Sequence, residues 1–405
     1  MEQQFQINDN SNFLETSVVA EIFQKLNQIE TNCKGKIGED IVTERIKQVV
    51  YAKILCNVYQ KDISYLIKAY SSLGISYYDI NYYPQAEEHL LNAFKLNENI
   101  SKEDGKEMKE QQIKILINLA KCYLENSKES KALLIGEESL KMNKQIHNDD
   151  NHISNGDIYY IISKAHTKLG NYQAAIDNLN EMYEIYEKIE GSNCEKTAKI
   201  LLEIAQVYEL WKMYQNAIDF YNKSFQIWEQ IITNNDYEVL FQISIKLAGL
   251  YGIIKNEEQA YTILCKTDND YGNKTERTTK NKFIYQKKRI KYCMHLDNNK
   301  ELYLEEFLRL ERILTETNEN PNALAKTCLS IAVIYLDDKN KEKCMEYYNK
   351  AYEIYEINGN NKRAEEIKDK IIELQKERND NKENKQENNS DNGSENESYN
   401  IQGNH

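Results

Sequence analysis

The sequence predicts an all-α protein, a solenoid of antiparallel helix pairs, on three observations. An apolar pattern is repeated: Ile162, His166, Gly170, Tyr172, Ala175, Leu179 and Met182 are followed by Ile204, Ala205, Tyr208, Tyr214, Ala217, Tyr221 and Ser224, with Ala217 falling 42 residues after Ala175. The same stride, taken outward, finds Ala132 and Ala86 upstream, Ala260 and Cys344 downstream, and a degraded copy near Leu302. The 405 residues include only two prolines and 14 glycines, so few residues break helices. A period near 40 held over most of a chain is the mark of stacked units. A stack grows by adding units, so length does not count domains here.

Taken in order, residues 1–10 are polar and predicted flexible. Residues 11–61 hold N-terminal capping helices or a degenerate repeat: Phe13, Leu14, Val18, Val19, Ile22, Phe23 and Leu26 form one helical stripe, and a second helix runs on from Gly38. About seven repeats fill 62–357. The first carries Leu73, Gly74, Tyr77, Tyr83, Ala86, Leu90 and Ala93; the sixth, roughly Lys282 to Thr315, is degenerate, after a polar stretch near 268–282 predicted to be an exposed loop. A charged helix within 358–377, with Ile367, Ile371, Ile372 and Leu374 on one side, suits a cap over the last open face. Residues 378–405 bury almost nothing and are predicted disordered.

The spacing within a unit has a packing reason. Leu73, Gly74 and Tyr77 share one helix face, and Ala86, Leu90 and Ala93 share a face of the next. Small residues at Gly74 and Ala86 let two backbones approach, while Tyr77 and Leu90 fill the space beside them. One pair covers only part of its apolar surface, so neighbours must stack, and a stack turned by a constant angle leaves a concave face.

Charge and motifs exclude several functions. A net charge of -13 opposes general nucleic-acid or anionic-membrane binding. No apolar run reaches the roughly 20 residues that span a bilayer. Eight cysteines without metal-like spacing, and no leader-like start, point to reduced thiols in the cytoplasm. No phosphate-binding glycine loop, zinc motif or nucleophile–base set appears, so neither catalysis, a metal nor a cofactor is expected. His166 stands where other copies carry a core tyrosine, and many of the 30 tyrosines fall at repeat core positions.

These residues resemble the tetratricopeptide repeat, whose Leu-Gly, Tyr, Gly-Tyr, Ala, Phe and Ala positions are occupied by Leu73-Gly74, Tyr77, Asn81-Tyr83, Ala86, Leu90 and Ala93. The stride of 42 between Ala175 and Ala217 exceeds the usual length of about 34 and resembles the long repeats of kinesin light chains. Residues 52–93 also resemble part of the ciliary tetratricopeptide repeat protein 23 group, which implies a ciliary or microtubule-associated setting. The family resemblance implies a right-handed superhelical solenoid that binds protein or peptide partners in its groove. It places Lys68, Lys114, Asn118, Lys121, Lys164, Lys199 and Gln206 on that groove, where recurring lysines favour an acidic or phosphorylated segment. The Lys/Asn pairing that grips a terminal carboxylate in chaperone-binding relatives is absent, with Ser71 and Ile75, or Ile117 and Lys121, in its place; Asn118 is an isolated match.

A second basic cluster spans Lys274, Arg277, Lys280, Lys282, Lys287, Lys288, Arg289 and Lys291. It reads either as a docking patch for an acidic surface such as a tubulin tail, or as a solvated helix face. The expected function is a non-enzymatic scaffold or adaptor. The alternative is a peptide-sensing regulator of the bacterial quorum-sensing type, although residues 11–60 show no basic recognition helix of the kind such a regulator's effector module would use.

Overall fold

The computed structural model describes residues 2–394 except 101–105, 148–151, 233–236, 275–277, 297–298 and 319. The described residues form seventeen α-helices and no strand. They divide into two compact units, Met1–Ile231 and Ile232–His405. The first holds α1 (Glu2–Cys33), α2 (Glu39–Asn57), α3 (Ser64–Asp79), α4 (Tyr83–Ile100), α5 (Lys106–Glu125), α6 (Glu129–His147), α7 (Ser154–Lys168), α8 (Tyr172–Glu190), α9 (Glu195–Leu210) and α10 (Tyr214–Ile231). The second holds α11 (Glu238–Ile253), α12 (Glu257–Tyr271), α13 (Thr279–Cys293), α14 (Lys300–Thr317), α15 (Pro321–Asp337), α16 (Lys341–Ile357) and α17 (Asn361–Ser394). Each unit is an all-α solenoid of helix pairs, the fold class read from the sequence.

The turns explain why pairs form at this spacing. Between the two helices of a pair, one residue adopts the left-handed conformation: Asn81, Ser127, Gly170, Lys212, Lys255 and Lys339, with φ from 54° at Ser127 to 80° at Gly170. The next residue's N–H returns to the carbonyl five positions back, as from Tyr82 to Tyr77, Asn171 to His166, Met213 to Tyr208 and Asn340 to Tyr335, at 2.9 to 3.0 Å. This closes the first helix and reverses the chain. The same N–H-donating residue then opens the second helix, its carbonyl accepting from Ala86, Ala175, Ala217 or Cys344. The repeating alanine is therefore the first residue tied into the second helix, and the place where the two backbones come nearest.

Burial agrees with that role. Ala86, Ala132, Ala175, Ala217, Ala260 and Cys344 are all 0% exposed. A Cβ built on Gly74 would sit 2.7 Å from Leu90 Cγ and 3.1 Å from the Ala86 carbonyl oxygen, so no larger residue fits there without displacing α4. The apolar positions of successive helices then join into continuous clusters, such as Ala175, Ile176, Leu179, Tyr186, Ile200, Ile204 and Val207 across α8 and α9.

Three helix boundaries differ from the sequence reading. Helix α1 starts at Glu2, not after residue 10, because no proline or glycine interrupts 2–33. Helix α17 runs to Ser394 where disorder was predicted from 378, since no proline stops it; 395–405 lie outside the described residues. The exposed loop near 268–282 contracts: α12 continues to Tyr271, and Thr278 caps α13 by accepting from the Asn281 N–H at 3.3 Å. Asp268, expected in that loop, is held by Arg289 instead. The degenerate sixth copy, expected near Leu302, has Tyr303 at the equivalent point, for Tyr303 N–H bonds to the Asn299 carbonyl as Ala260 N–H does to Asn256.

Candidate functional site

The lysines assigned to a groove lie on the first helices of successive pairs, and the structure separates them into two groups. Lys68, Ser71, Ser72 and Ile75 on α3 follow the spacing of one helix face, as do Glu107, Glu110, Gln111, Lys114 and Asn118 on α5. Together they line one open cleft of about 440 Å³. Lys68 and Lys114 are exposed, and among the described residues no carboxylate comes within 4.0 Å of either ammonium. Lys121 stands one turn beyond Asn118. It offsets the effect of burial on Asp79, whose carboxyl is pushed up by desolvation. The Asn118 side-chain amide donates to the Lys114 carbonyl at 2.9 Å, which fixes its orientation within its own helix.

The other group is not available in the same way. Lys164 Nζ lies 2.6 Å from Glu203 Oε2 on α9 and 5.2 Å from the Tyr160 ring centroid, while the Tyr160 hydroxyl donates to the same carboxylate at 3.1 Å. Burial works to lower the Lys164 pKa, but the hydrogen bond and charge of Glu203 outweigh it and hold the ammonium protonated. Lys164 is therefore an internal ion-pair member bridging α7 and α9. Lys199 pairs with Glu195 four residues earlier at 2.5 Å, both ends exposed, an arrangement that contributes little. Gln206 is exposed on α9. The continuous line of ammonium groups expected from the sequence is thus broken at α7, because Glu203 comes into register with Lys164.

The carboxylates were the missing part of the reading. Glu107, Glu110 and Lys114 have helical spacing and share a face, so their proximity was visible in the sequence. Glu203 follows Lys164 by nearly one repeat, which also places the two side by side on adjacent first helices.

The second basic patch changes more. Arg289 is 3% exposed. Its guanidinium meets Glu306 Oε1 at 2.5 Å and Asp268 Oδ2 at 2.6 Å, and Glu306 is itself 1% exposed. Gln286 donates to Glu306 Oε2 at 2.6 Å and to its carbonyl at 2.9 Å, and the Tyr261 hydroxyl donates to Oε1 at 2.8 Å. Burial alone would lower the Arg289 pKa, but the Glu306 charge and further acidic partners raise it. Arg289 is thus no docking residue: position on the inner face of α13 puts it in the core, and only a carboxylate on α14 makes that tolerable. Lys282, Lys287 and Lys291 are exposed and Lys288 is half-buried, its pKa lowered by burial and by Lys291 and Lys246.

The eight cysteines are free, and burial pushes the Cys122, Cys293 and Cys328 thiols up to about 12. Among the described residues, no three His, Cys, Asp or Glu side chains gather in a way that could hold a metal ion, and no helix is long and apolar enough to cross a membrane.

Models of the tetratricopeptide-repeat family match residues 156–230 and 325–358. Over those two segments the chain is similar to tetratricopeptide repeats. The first match spans α7 to α10 almost entire, and the second spans α15 and α16. Among solved structures, a putative kinesin light chain with nearly identical repeats from Podosopora anserina is 17% identical with a TM-score of 0.43, covering 51% of this chain and 97% of that one. The C-terminal part of a repeat protein from Cytophaga hutchinsonii is 15% identical with a TM-score of 0.49, covering 73% and 97%. Aspartyl phosphate phosphatase F from Bacillus subtilis is 12% identical with a TM-score of 0.46, covering 83% and 92%. No curated protein matches the chain.

Proposed function

We propose that the protein is a non-enzymatic scaffold whose first unit holds an acidic or phosphorylated protein segment along the α3–α5 face. The observation that carries this reading is the cleft in which Lys68 and Lys114, without carboxylates in contact, converge beside Asn118. The two ammonium groups make the potential positive locally at their end of the cleft, so an anionic residue is favoured there over a neutral one. Glu107 and Glu110 on the same cleft oppose an uninterrupted run of negative charge. The fitting segment carries an isolated anionic side chain, with neutral or basic neighbours over α5. Lys121 extends the cationic edge by a further turn.

The test uses partners recovered by proximity labelling in the native cell, with the strongest remeasured by calorimetry against the purified full chain. Lys68→Glu combined with Lys114→Glu should weaken binding by about tenfold or more, the loss expected for removing and reversing a charged contact. Lys199→Glu should leave it unchanged. Binding that ignores the double reversal contradicts the reading, and tight binding of a free short peptide with no protein partner would favour a peptide sensor instead. A ciliary or microtubule-associated setting is the cellular part of the proposal. It is checked by locating a tagged copy in the cell and by salt-sensitive co-sedimentation with microtubules.

A further inference from the structure

A second polar cleft, of about 520 Å³, lies in the other unit between the end of α12, the first turns of α13 and the later turns of α14. Its lining includes Lys282 on α13, Arg309 and Arg312 on α14, and Asp268. Asp268 is already neutralised, accepting from buried Arg289 at 2.6 Å and lying 3.7 Å from Arg309. Lys282 and Arg312 are exposed, with no carboxylate within 4.0 Å among the described residues. Glu305 approaches Arg309 at 3.5 Å, but it is 61% exposed and screened by water. Three cations therefore line the cleft with one carboxylate that a fourth cation holds from below, in a chain whose net charge is -13. A cleft between α8 and α10 in the first unit is lined instead by Tyr183, Leu201, Ile204, Phe220 and Ile227, with Lys223 as its one cation. The α3–α5 cleft sets Lys68 and Lys114 against Glu107 and Glu110, so of these three clefts this one has the largest surplus of cations.

We propose that this cleft binds the phosphate group of a phosphorylated protein segment, at a site separate from the α3–α5 face. A phosphate monoester carries a charge of about -1.5 to -2 at neutral pH, which suits the surplus of Lys282, Arg309 and Arg312 over Asp268. Guanidinium groups grip its oxygens through paired N–H donors. The floor is fixed in advance, because Arg289, Glu306, Gln286 and Tyr261 are mutually hydrogen-bonded beneath it. A nucleotide fits less well: the lining aromatic, Tyr285, is 2% exposed with its hydroxyl donating to the Leu264 carbonyl at 3.0 Å, so no ring face is offered to a base. Long polyanions are repelled by the rest of an acidic chain.

The experiment passes two degenerate peptide libraries, identical except for phosphoserine or serine at the central position, over the immobilised full chain. The phosphoserine library should be retained about tenfold better, the scale of one charge-assisted contact. Added to Lys68→Glu and Lys114→Glu, which remove any share held by the α3–α5 face, Lys282→Glu with Arg312→Glu should abolish that preference, and circular dichroism should show the helices intact because these side chains are exposed. The preference should survive Lys68→Glu with Lys114→Glu, which separates this site from the groove. Equal retention of both libraries overturns the proposal. So does a preference that survives the Lys282/Arg312 reversal in that background, one lost on reversing Lys68 and Lys114 alone, or displacement by ADP but not by free phosphoserine.

Discussion

The α9–α10 hairpin and the α13–α14 hairpin follow one plan and are filled in opposite ways. In the first, Ala217, Ile218, Tyr221, Ser224 and Phe225 are buried, and the Ser224 hydroxyl ties the pair by donating to the Ala198 carbonyl at 2.8 Å. In the second, Tyr303 occupies the small-residue position and sends its hydroxyl to the Met294 and Leu296 carbonyls at 3.1 and 2.7 Å, while Gln286, Arg289 and Glu306 fill the interior. The difference teaches that the repeat period governs where helices begin and reverse. It leaves open what a hairpin contains. The apolar pair is held by close packing, and the ionic pair by a charge network that also shapes a cleft above it.

The comparison breaks most sharply at the buried ions. Arg289→Leu alone should cost about 3–5 kcal/mol, since it strands Glu306 in the core, and Glu306→Leu should cost less, since Asp268 still pairs with Arg289. The two together should cost less than the sum of the singles, because neither charge is then left bare in the core, although Asp268, Gln286 and Tyr261 each lose a partner. Urea unfolding of the two single variants and the double variant gives the coupling energy; equal, additive losses would deny that the network is one unit.

A smaller effect sharpens the turn geometry of the regular hairpins. Lys212 and Lys255 hold φ of 62° and 59°, a conformation in which a Cβ is crowded. Lys212→Gly should stabilise by about 0.5–1 kcal/mol, and Gly170→Ala, at φ 80°, should destabilise by about 1 kcal/mol or more. Thermal unfolding of the two variants checks the opposite signs.

The smallest expected change is a pH dependence. His89 is stacked against Tyr77 and Tyr70, with ring centroids 5.4 and 6.0 Å away, and burial lowers its pKa, with Glu88 opposing and Lys53 assisting. The unfolded chain then binds a proton more readily than the folded one. His89 therefore contributes stability that is complete above the ordinary histidine range and is lost as pH falls through it. His89→Phe should flatten the fall in melting temperature between about pH 7 and about pH 5. An unchanged slope would remove His89 as its source.

Most of the fold was legible because alanine and tyrosine recur where a hairpin needs a close approach and a filler, while glycine marks the reversal only at Gly170. Ala86, Ala132, Ala175, Ala217 and Ala260 all reach complete burial at equivalent points. The sixth hairpin was harder to read because its core is charged, and a charged residue in a sequence looks like surface. Arg289 had the periodicity of a core position, but its type outweighed its spacing. The groove was half legible. Lys68 and Lys114 were marked by their place on the first helices, whereas the silencing of Lys164 depends on Glu203, in another repeat, and shows only when repeats are set side by side.

The central claim is that each regular hairpin closes on one small residue. The direct measurement is equilibrium unfolding of Ala86→Leu, Ala132→Leu, Ala175→Leu, Ala217→Leu and Ala260→Leu beside Tyr303→Leu. The account predicts that all five alanine variants lose about 1–3 kcal/mol to overpacking. Tyr303→Leu should lose only its two hydrogen bonds, about 1–2 kcal/mol, and should gain stability when paired with Ala at a neighbouring interior position rather than a larger residue. Alanine variants that unfold with native stability would contradict it.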